Sequence, residues 1–481
     1  HRVLRQVTGV YLVDEDGYGV RPNIGIRGSG TDRNSRITVM EDGLLIAPAP
    51  YSAPAAYYFP ATARMSAMEI RKGSSTIKAG PRTTGGALNL ISTPIPNELQ
   101  GFGDIAVGKD ATVLGHGWVG GSTERTGWLL ESVQQTTDGF KDLDGGGDTG
   151  YRLRDYLFKG RVQTDSDAAM YQELEFKAVA GDNVGEETYL GLTLDDFHSS
   201  PYRRYAGSQL DRIDTEHEQY SLRHFIELGD AVDLTTVLYR HEFQRAWYKL
   251  QDVTGASLST ILSNPSENAE RLSWLQGADS AVNALRIRNN HRAYFAEGGQ
   301  SVLNWRSAWG AVEHEMSFGL RWHRDEEDRF QQDDRYQMLD GNMVLTSAGL
   351  PGSQENRVVR AQALSFYAQD EIRLDSWIIT PGLRWESINL KRLDYALRPY
   401  GRDAGPTRLI DGDVNQVLPG LGLTHLFSDR WSAFLSVHKG FNPPAPGGGA
   451  QAEESTNIEA GLRWSESRLL GELVAFHNDY A

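Results

Sequence analysis

Long stretches of this chain alternate apolar and polar residues with a period of two. Leu174, Phe176, Ala178 and Ala180 interleave with Glu173, Glu175, Lys177 and Val179, and Met316, Phe318, Leu320 and Trp322 interleave with Glu315, Ser317, Gly319, Arg321 and His323. Trp377, Ile379, Leu383 and Trp385 likewise oppose Thr380, Gly382, Arg384 and Glu386, while Ile458, Ala460, Leu462 and Trp464 oppose Asn457, Glu459, Gly461 and Arg463. Successive side chains of a strand point to opposite faces, so each stretch predicts a strand with one apolar and one polar face. From about residue 99 onward this texture predicts about fifteen strands.

Residues 1–96 read differently, with short apolar runs and many Gly and Pro, and predict one small mixed α/β domain. Ile37 to Met40, the turn Glu41-Asp42-Gly43 and Leu44 to Ile46 form a compact hairpin signal. Met68 to Ile70 and Ala87 to Ile91 predict two more strands, and Thr93-Pro94-Ile95-Pro96 predicts a linker, since its prolines cannot feed a sheet interior. Arg2 to Val7 predicts a short helix stopped by Gly9. The chain opens on His1 without a signal segment and closes on a strand pattern at Glu472 to Ala481, so both ends are expected to be cut.

The alternation fits either a soluble sandwich, whose apolar face meets a second sheet, or a transmembrane antiparallel barrel, whose apolar face meets lipid. The connections favour the barrel. Polar or irregular segments at 139–150, 190–212, 250–286, 324–360 and 391–414 predict long loops, whereas 122–127, 228–231, 374–377 and 427–430 predict tight turns. Bacterial single-chain barrels have an even number of strands, and one wide enough to hold a 96-residue plug has roughly 22, so C-terminal strands are expected to be missing here.

Composition narrows the class. The 481 residues carry 48 Lys plus Arg against 64 Asp plus Glu, a net charge of −16, which disfavours general phosphate neutralisation and hence nucleic acid. With no Cys, disulfide scaffolds, thiolate metal sites and cysteine nucleophiles are excluded. A mean hydropathy of −0.47 is too polar for a helical membrane protein, but barrel strands hide in such averages. The 51 Gly, 11 Trp, 20 Tyr and 16 Phe suit a barrel.

Five phrases in the first ninety or so residues carry a resemblance. They are Arg21-Pro22-Asn23-Ile24-Gly25-Ile26-Arg27-Gly28, Ile37-Thr38-Val39-Met40-Glu41-Asp42-Gly43, Ala49-Pro50-Tyr51, Glu69-Ile70-Arg71-Lys72-Gly73, and the run from Gly80 to Ile91. In this order and spacing they resemble the plug of TonB-dependent outer-membrane receptors, specifically the ferric-dicitrate-receptor-like branch. The segments 365–386 and 418–463, including Lys439-Gly440-Phe441-Asn442-Pro443-Pro444, resemble barrel segments of the same family. The resemblance implies a plug at 1–96 inside a barrel at 97–481, set in the bacterial outer membrane among its lipid and lipopolysaccharide. It also implies a monomer that imports a ferric chelate, energised by TonB of the TonB–ExbB–ExbD complex. The Fe3+ belongs to the cargo, and no resident cofactor, metal or catalysis is implied.

Arg21, Arg27, Arg33 and Arg36 place four guanidinium groups within sixteen residues. Planar Arg forks pair bidentately with carboxylates, which suits an anionic metal–organic-acid chelate; structural pairs with Glu15, Asp16, Asp32 or barrel carboxylates are the alternative. The resemblance implies a ligand role for Arg27, with Arg33, Arg36 and the barrel residue Arg245 as further candidates. His241-Glu242 and His314-Glu315 begin like a zinc-protease motif but lack its second His, and Asp142-Leu143-Asp144 lacks the spacing of a calcium loop. Gly28-Ser29-Gly30 and Gly80 to Gly86 lack the features of phosphate loops. Another chelate, haem or zinc as cargo, and a passive barrel or an adhesin as class, remain the alternatives.

Overall fold

The computed structural model describes residues 2–53, 55, 57–397, 401–446 and 451–481. Its N-terminal part carries a four-stranded sheet ordered Leu44–Leu45, Thr38–Glu41, Ala87–Ser92 and Met65–Arg71, in which Thr38–Glu41 runs parallel to Ala87–Ser92. The hairpin predicted at 36–46 and the two further strands are therefore present, with Asp42 and Gly43 turning the hairpin at φ 50° and 79°. Arg2–Gln6 is a 3-10 helix. A second hairpin, Val10–Asp14 with Pro22–Ile26, is not marked by alternation in the sequence. It forms because Ile24 and Ile26 reach the same core as Leu4, Ile37, Val39, Leu88 and Leu90. Its packing needs Gly25, where a Cβ would lie 2.2 Å from the carbonyl oxygen of Gly30.

From Gln100–Val107 to Leu469–Tyr480, fifteen long strands follow one another in chain order around a barrel, each sharing an antiparallel register with the next. The number matches the sequence reading and is odd, against the even count expected of bacterial single-chain barrels. The first and last of these strands are exposed along nearly their whole length. Outward faces are apolar: Leu130, Tyr156, Leu320 and Leu383 are each about half exposed. Inward faces are polar and buried against the plug, as at Asp155, Lys177, His217, Arg321, Asp325 and Glu386. That is the inverse of a soluble domain and places lipid against the wall. No described helix is long and apolar enough to cross a membrane.

One expected loop is a strand. The segment from Arg324 onward, read as the start of a connection because it is densely charged, continues the strand Val312–Leu339 for 28 residues, beside Leu285–Trp309 with 25 and Val232–Val253 with 22. About 9–11 residues suffice to cross the hydrocarbon, so these strands stand well clear of it, and there neither face has to be apolar. Their charges pair across the sheet instead, with Arg292 on Glu327 at 2.7 Å, Arg286 on Asp333 at 2.7 Å and Arg360 on Glu326 at 2.5 Å. Between the strands, the loop at 186–211 and the helices Leu258–Ser263 and Ala269–Leu275 bury Leu190, Tyr205, Ile261 and Leu275 in one apolar cluster at the loop end.

Candidate functional site

The plug is fastened to the wall by buried charges. Arg64 forks onto Glu41 at 2.5 and 3.0 Å, and its Nε faces Asp155 of the wall at 2.8 Å. Lys177, also from the wall, reaches Glu41 and lies 2.6 Å from Asp42. Burial alone would raise the Glu41 carboxyl, but Arg64 and Lys177 outweigh it and hold it far below the usual carboxylate range. On another wall Asp325 accepts the backbone N–H groups of Tyr51 and Ser52 at 2.8 and 3.0 Å, and the Tyr51 hydroxyl donates to Glu386 at 2.9 Å.

At the loop end lies a cluster of cations and rings. Along Val232–Val253 the period of two turns Arg245, Trp247 and Lys249 inward, all of them buried. The Arg245 guanidinium is 1% exposed, lies 3.7 Å over the ring of Tyr57 with the Tyr294 hydroxyl nearby, and none of its three nitrogens makes a hydrogen bond of good geometry among the described residues. Lys249 sits 3.3 Å from the centre of the Tyr189 ring and 4.2 Å from that of Trp247. From the plug, Arg33 adds a third cation, 4.7 Å over Tyr57 and 5.5 Å over Trp247, hydrogen-bonded to Glu15 at 2.5 Å and to the Tyr189 hydroxyl. Arg21 is engaged with Glu187 and donates to Asn183 at 2.5 Å. Cation–ring contacts compensate only part of the desolvation of a guanidinium or ammonium group. Arg245 and Lys249 thus form a buried basic site without a carboxylate at ion-pair distance among the described residues, and burial, with Arg33 nearby, pushes the Lys249 ammonium down to about 7.

Of the residues singled out by sequence, the structure joins Arg33 and Arg245 through Tyr57. Arg27 and Arg36 lie by other strands. Arg27 pairs with Glu459 and sits 5.9 Å over Phe476, and burial brings its guanidinium down to about 10, still a cation at neutral pH. Arg36 pairs with Glu453 at 3.0 Å and is 44% exposed. Arg27 and Arg33 both adopt positive φ, 52° and 50°, a conformation that non-glycine residues hold only when surroundings enforce it. Asn34 supplies part of that enforcement, accepting the Ile24 N–H at 2.6 Å and donating to the Pro22 carbonyl at 3.1 Å.

Sequence reasoning missed Lys249, Trp247, Tyr57 and Tyr189. The first two were readable, since positions 245, 247 and 249 must share one face of a strand. The tyrosines arrive on loops, which no periodicity places.

Comparison with known proteins agrees with this architecture. Residues 1–87 match the model of the TonB-dependent receptor plug domain, and residues 177–481 match that of the TonB-dependent receptor-like β-barrel. Among solved structures, the unliganded ferric citrate transporter FecA superposes with a TM-score of 0.79 at 18% identity, covering 100% of this chain and 67% of that one. The ferric yersiniabactin uptake receptor FyuA from Yersinia pestis gives 0.73 at 15% identity, covering 100% and 69%. The siderophore receptor PiuA from Acinetobacter baumannii gives 0.70 at 14% identity, covering 99% and 70%. At such identities these likenesses speak for the fold alone. With a plug at its N-terminus and most of its length in the matching barrel, the chain belongs to the TonB-dependent receptors, a family of outer-membrane β-barrels.

Proposed function

We propose that this protein imports an anionic ferric chelate, ferric dicitrate or a siderophore, across the bacterial outer membrane, driven through TonB. The observation that carries the reading is the pair of buried basic groups Arg245 and Lys249, without a carboxylate at ion-pair distance among the described residues and framed by Tyr57, Tyr189, Trp247 and Arg33 at the loop end of a plugged lumen. An anionic ligand supplies the charge this site lacks, and the rings exclude water around it, which strengthens each charge-assisted hydrogen bond. A filled lumen argues against passive diffusion. Within the class, the fold shared with the ferric citrate transporter makes dicitrate the first ligand to test. Arg36 is open enough to reach a chelate directly; Arg27 has to leave Glu459 to do so.

The test is calorimetric titration of the complete receptor in detergent with ferric dicitrate, iron-free citrate and an unrelated ferric siderophore, repeated on Arg245→Ala and Arg27→Ala. Saturable binding of one ferric chelate, weakened at least about tenfold (roughly 1.4 kcal/mol) by Arg245→Ala, is expected. Binding unchanged in that variant removes Arg245 from the site. No binding of any ferric chelate refutes the assignment and turns the search to haem and zinc.

A further inference from the structure

The plug is not held equally around the barrel. Towards Tyr151–Gln163 and Gln172–Gly185 it is held by Arg64–Asp155 and by Lys177 with Glu41 and Asp42. Towards Val312–Leu339 and Trp377–Asp394 it is held by Asp325 on the Tyr51 and Ser52 amides and by Glu386 on Tyr51. Towards Trp431–Asn442 and Glu453–Glu466 it is held by Asn442 on Thr84 at 2.8 Å, the Thr83 N–H on the Phe441 carbonyl at 3.0 Å, and Arg27–Glu459.

The wall made of Arg212–Glu227, Val232–Val253 and Leu285–Trp309 is different. Here the plug rests on apolar and ring contacts: Leu44 on Val237 and Tyr239, Ala49 and Ala53 beside Phe243 and Tyr294, and Tyr58 stacked on His217 at 3.7 Å. Gln300 adds a hydrogen bond to the Gly43 carbonyl at 3.3 Å. Several polar groups that this wall turns inward are unpartnered among the described residues, although Tyr239 pairs with His323 at 2.7 Å and Tyr294 donates to Glu327 at 3.2 Å. Both ring nitrogens of His217 and of His241, both amide atoms of Gln219 and the Trp247 indole N–H lack hydrogen bonds, although these residues are 0 to 5% exposed. Gln219 and His241 are direct cross-strand neighbours and the rings of His217 and His241 lie 6.3 Å apart, so these three form one patch. A buried polar atom without a partner gains hydrogen bonds when water reaches it, whereas a buried ion pair loses them. Unpartnered atoms occur on the other walls too, at Gln369, His438 and Asn457, but there parting would also break buried ion pairs or carboxylate hydrogen bonds, whereas among the described residues no ion pair joins the plug to this wall.

The two ends of this wall fit transit of an anion. Arg245 and Lys249 stand at its loop end. Beyond its other end, towards the tight turn near Gly310, a cavity of about 270 Å³ lies between plug and barrel where this wall meets the next, lined by Gln300 and Asn304 from the strand Leu285–Trp309, by Arg321 and Arg384 from the neighbouring wall, and by Arg71, 3.6 Å from Glu69, and Lys78 from the plug. We propose that the chelate crosses the barrel along this wall, the plug parting here while it stays docked to the others, and that Arg71 and Lys78 form an inner anion site which receives it. The proposal rests on the import reading above.

These 481 residues hold no cysteine, so introduced thiols are the reactive ones within them. The full-length receptor, carried in cells, receives either Leu44→Cys with Val237→Cys or Thr84→Cys with Asn442→Cys, and each pair is bridged with a short, reducible bifunctional thiol reagent. Uptake and surface binding of radioactive iron supplied as ferric dicitrate are measured before bridging, after it, and after reduction. The 44–237 bridge is expected to lower uptake at least about tenfold with binding intact and to be reversed by reduction, whereas the 84–442 bridge changes uptake less than about twofold. Recovery on reduction shows that the bridged protein is folded. Equal blockade by both bridges, or blockade by 84–442 alone, overturns the proposed route. An unbridged receptor that binds and imports iron neither as ferric dicitrate nor as the ferric siderophore of the titration removes the import reading itself, and the route with it.

Discussion

Replacing Arg64 by Met should loosen the plug from its barrel by a calculable amount. Arg64 and Glu41 are both 0% exposed and share two hydrogen bonds, and Arg64 also neutralises Asp155. Removing one partner of a buried pair costs about 3–5 kcal/mol, because the other charge stays buried without compensation. Here Lys177 still serves Glu41 but nothing replaces the guanidinium at Asp155, so the lower half of that range, about 3–4 kcal/mol, is expected. With a urea dependence of about 1–3 kcal/mol per molar, the midpoint for plug unfolding inside the intact barrel should fall by at least about 1 M. Hydrogen exchange of the Thr38–Glu41 peptide across a urea series reports this directly, since that strand lies inside the plug sheet. The cycle completed with Glu41→Gln should show a coupling of about 1–3 kcal/mol. The same lock sets a pH dependence. A carboxyl depressed in the folded state contributes stability that is whole above its unfolded value of about 4.3 and is lost as pH falls further below it. Wild-type plug retention should therefore decline below about pH 4.3 by an increment that Glu41→Gln lacks. A midpoint shift under about 0.3 M, or additive single variants, would refute the view that this cluster fastens the plug.

Other consequences are as direct. Gly440→Ala places a Cβ 2.8 Å from the Thr84 Cα and 2.9 Å from the Thr83 carbonyl oxygen; backbone yields little, so plug retention should fall by about 1–3 kcal/mol in the same urea assay. Tyr51→Phe strips the hydroxyl between Glu386 and Arg321 and should cost about 1–3 kcal/mol, read as faster exchange in the plug with the barrel strands unchanged. Leu320→Arg puts a charge on the outward face, where Leu320 is 52% exposed; insertion into vesicles should weaken by about 2–4 kcal/mol if that residue lies near the bilayer midplane. Insertion as efficient as wild type would show that this face does not meet hydrocarbon.

The sequence by itself determined the two textures, the plug hairpin and the alternating strands, because side-chain direction in a strand follows from position parity alone. It also singled out Arg33, one of four clustered guanidinium groups that suit carboxylate ligands, while Arg245 came from a resemblance to the family's barrel. It could not show that Arg324 to Leu339 extends a strand beyond the membrane, for alternation marks a strand only where its two faces meet different media. Nor could it show that Arg33 and Arg245, 212 positions apart, both stack on Tyr57, or that Arg27 is spent on Glu459. Those pairings depend on which plug loop faces which strand. Only the tertiary structure decides that, by closing some buried charges into pairs and leaving Arg245, His217 and His241 with rings rather than counter-charges beside them.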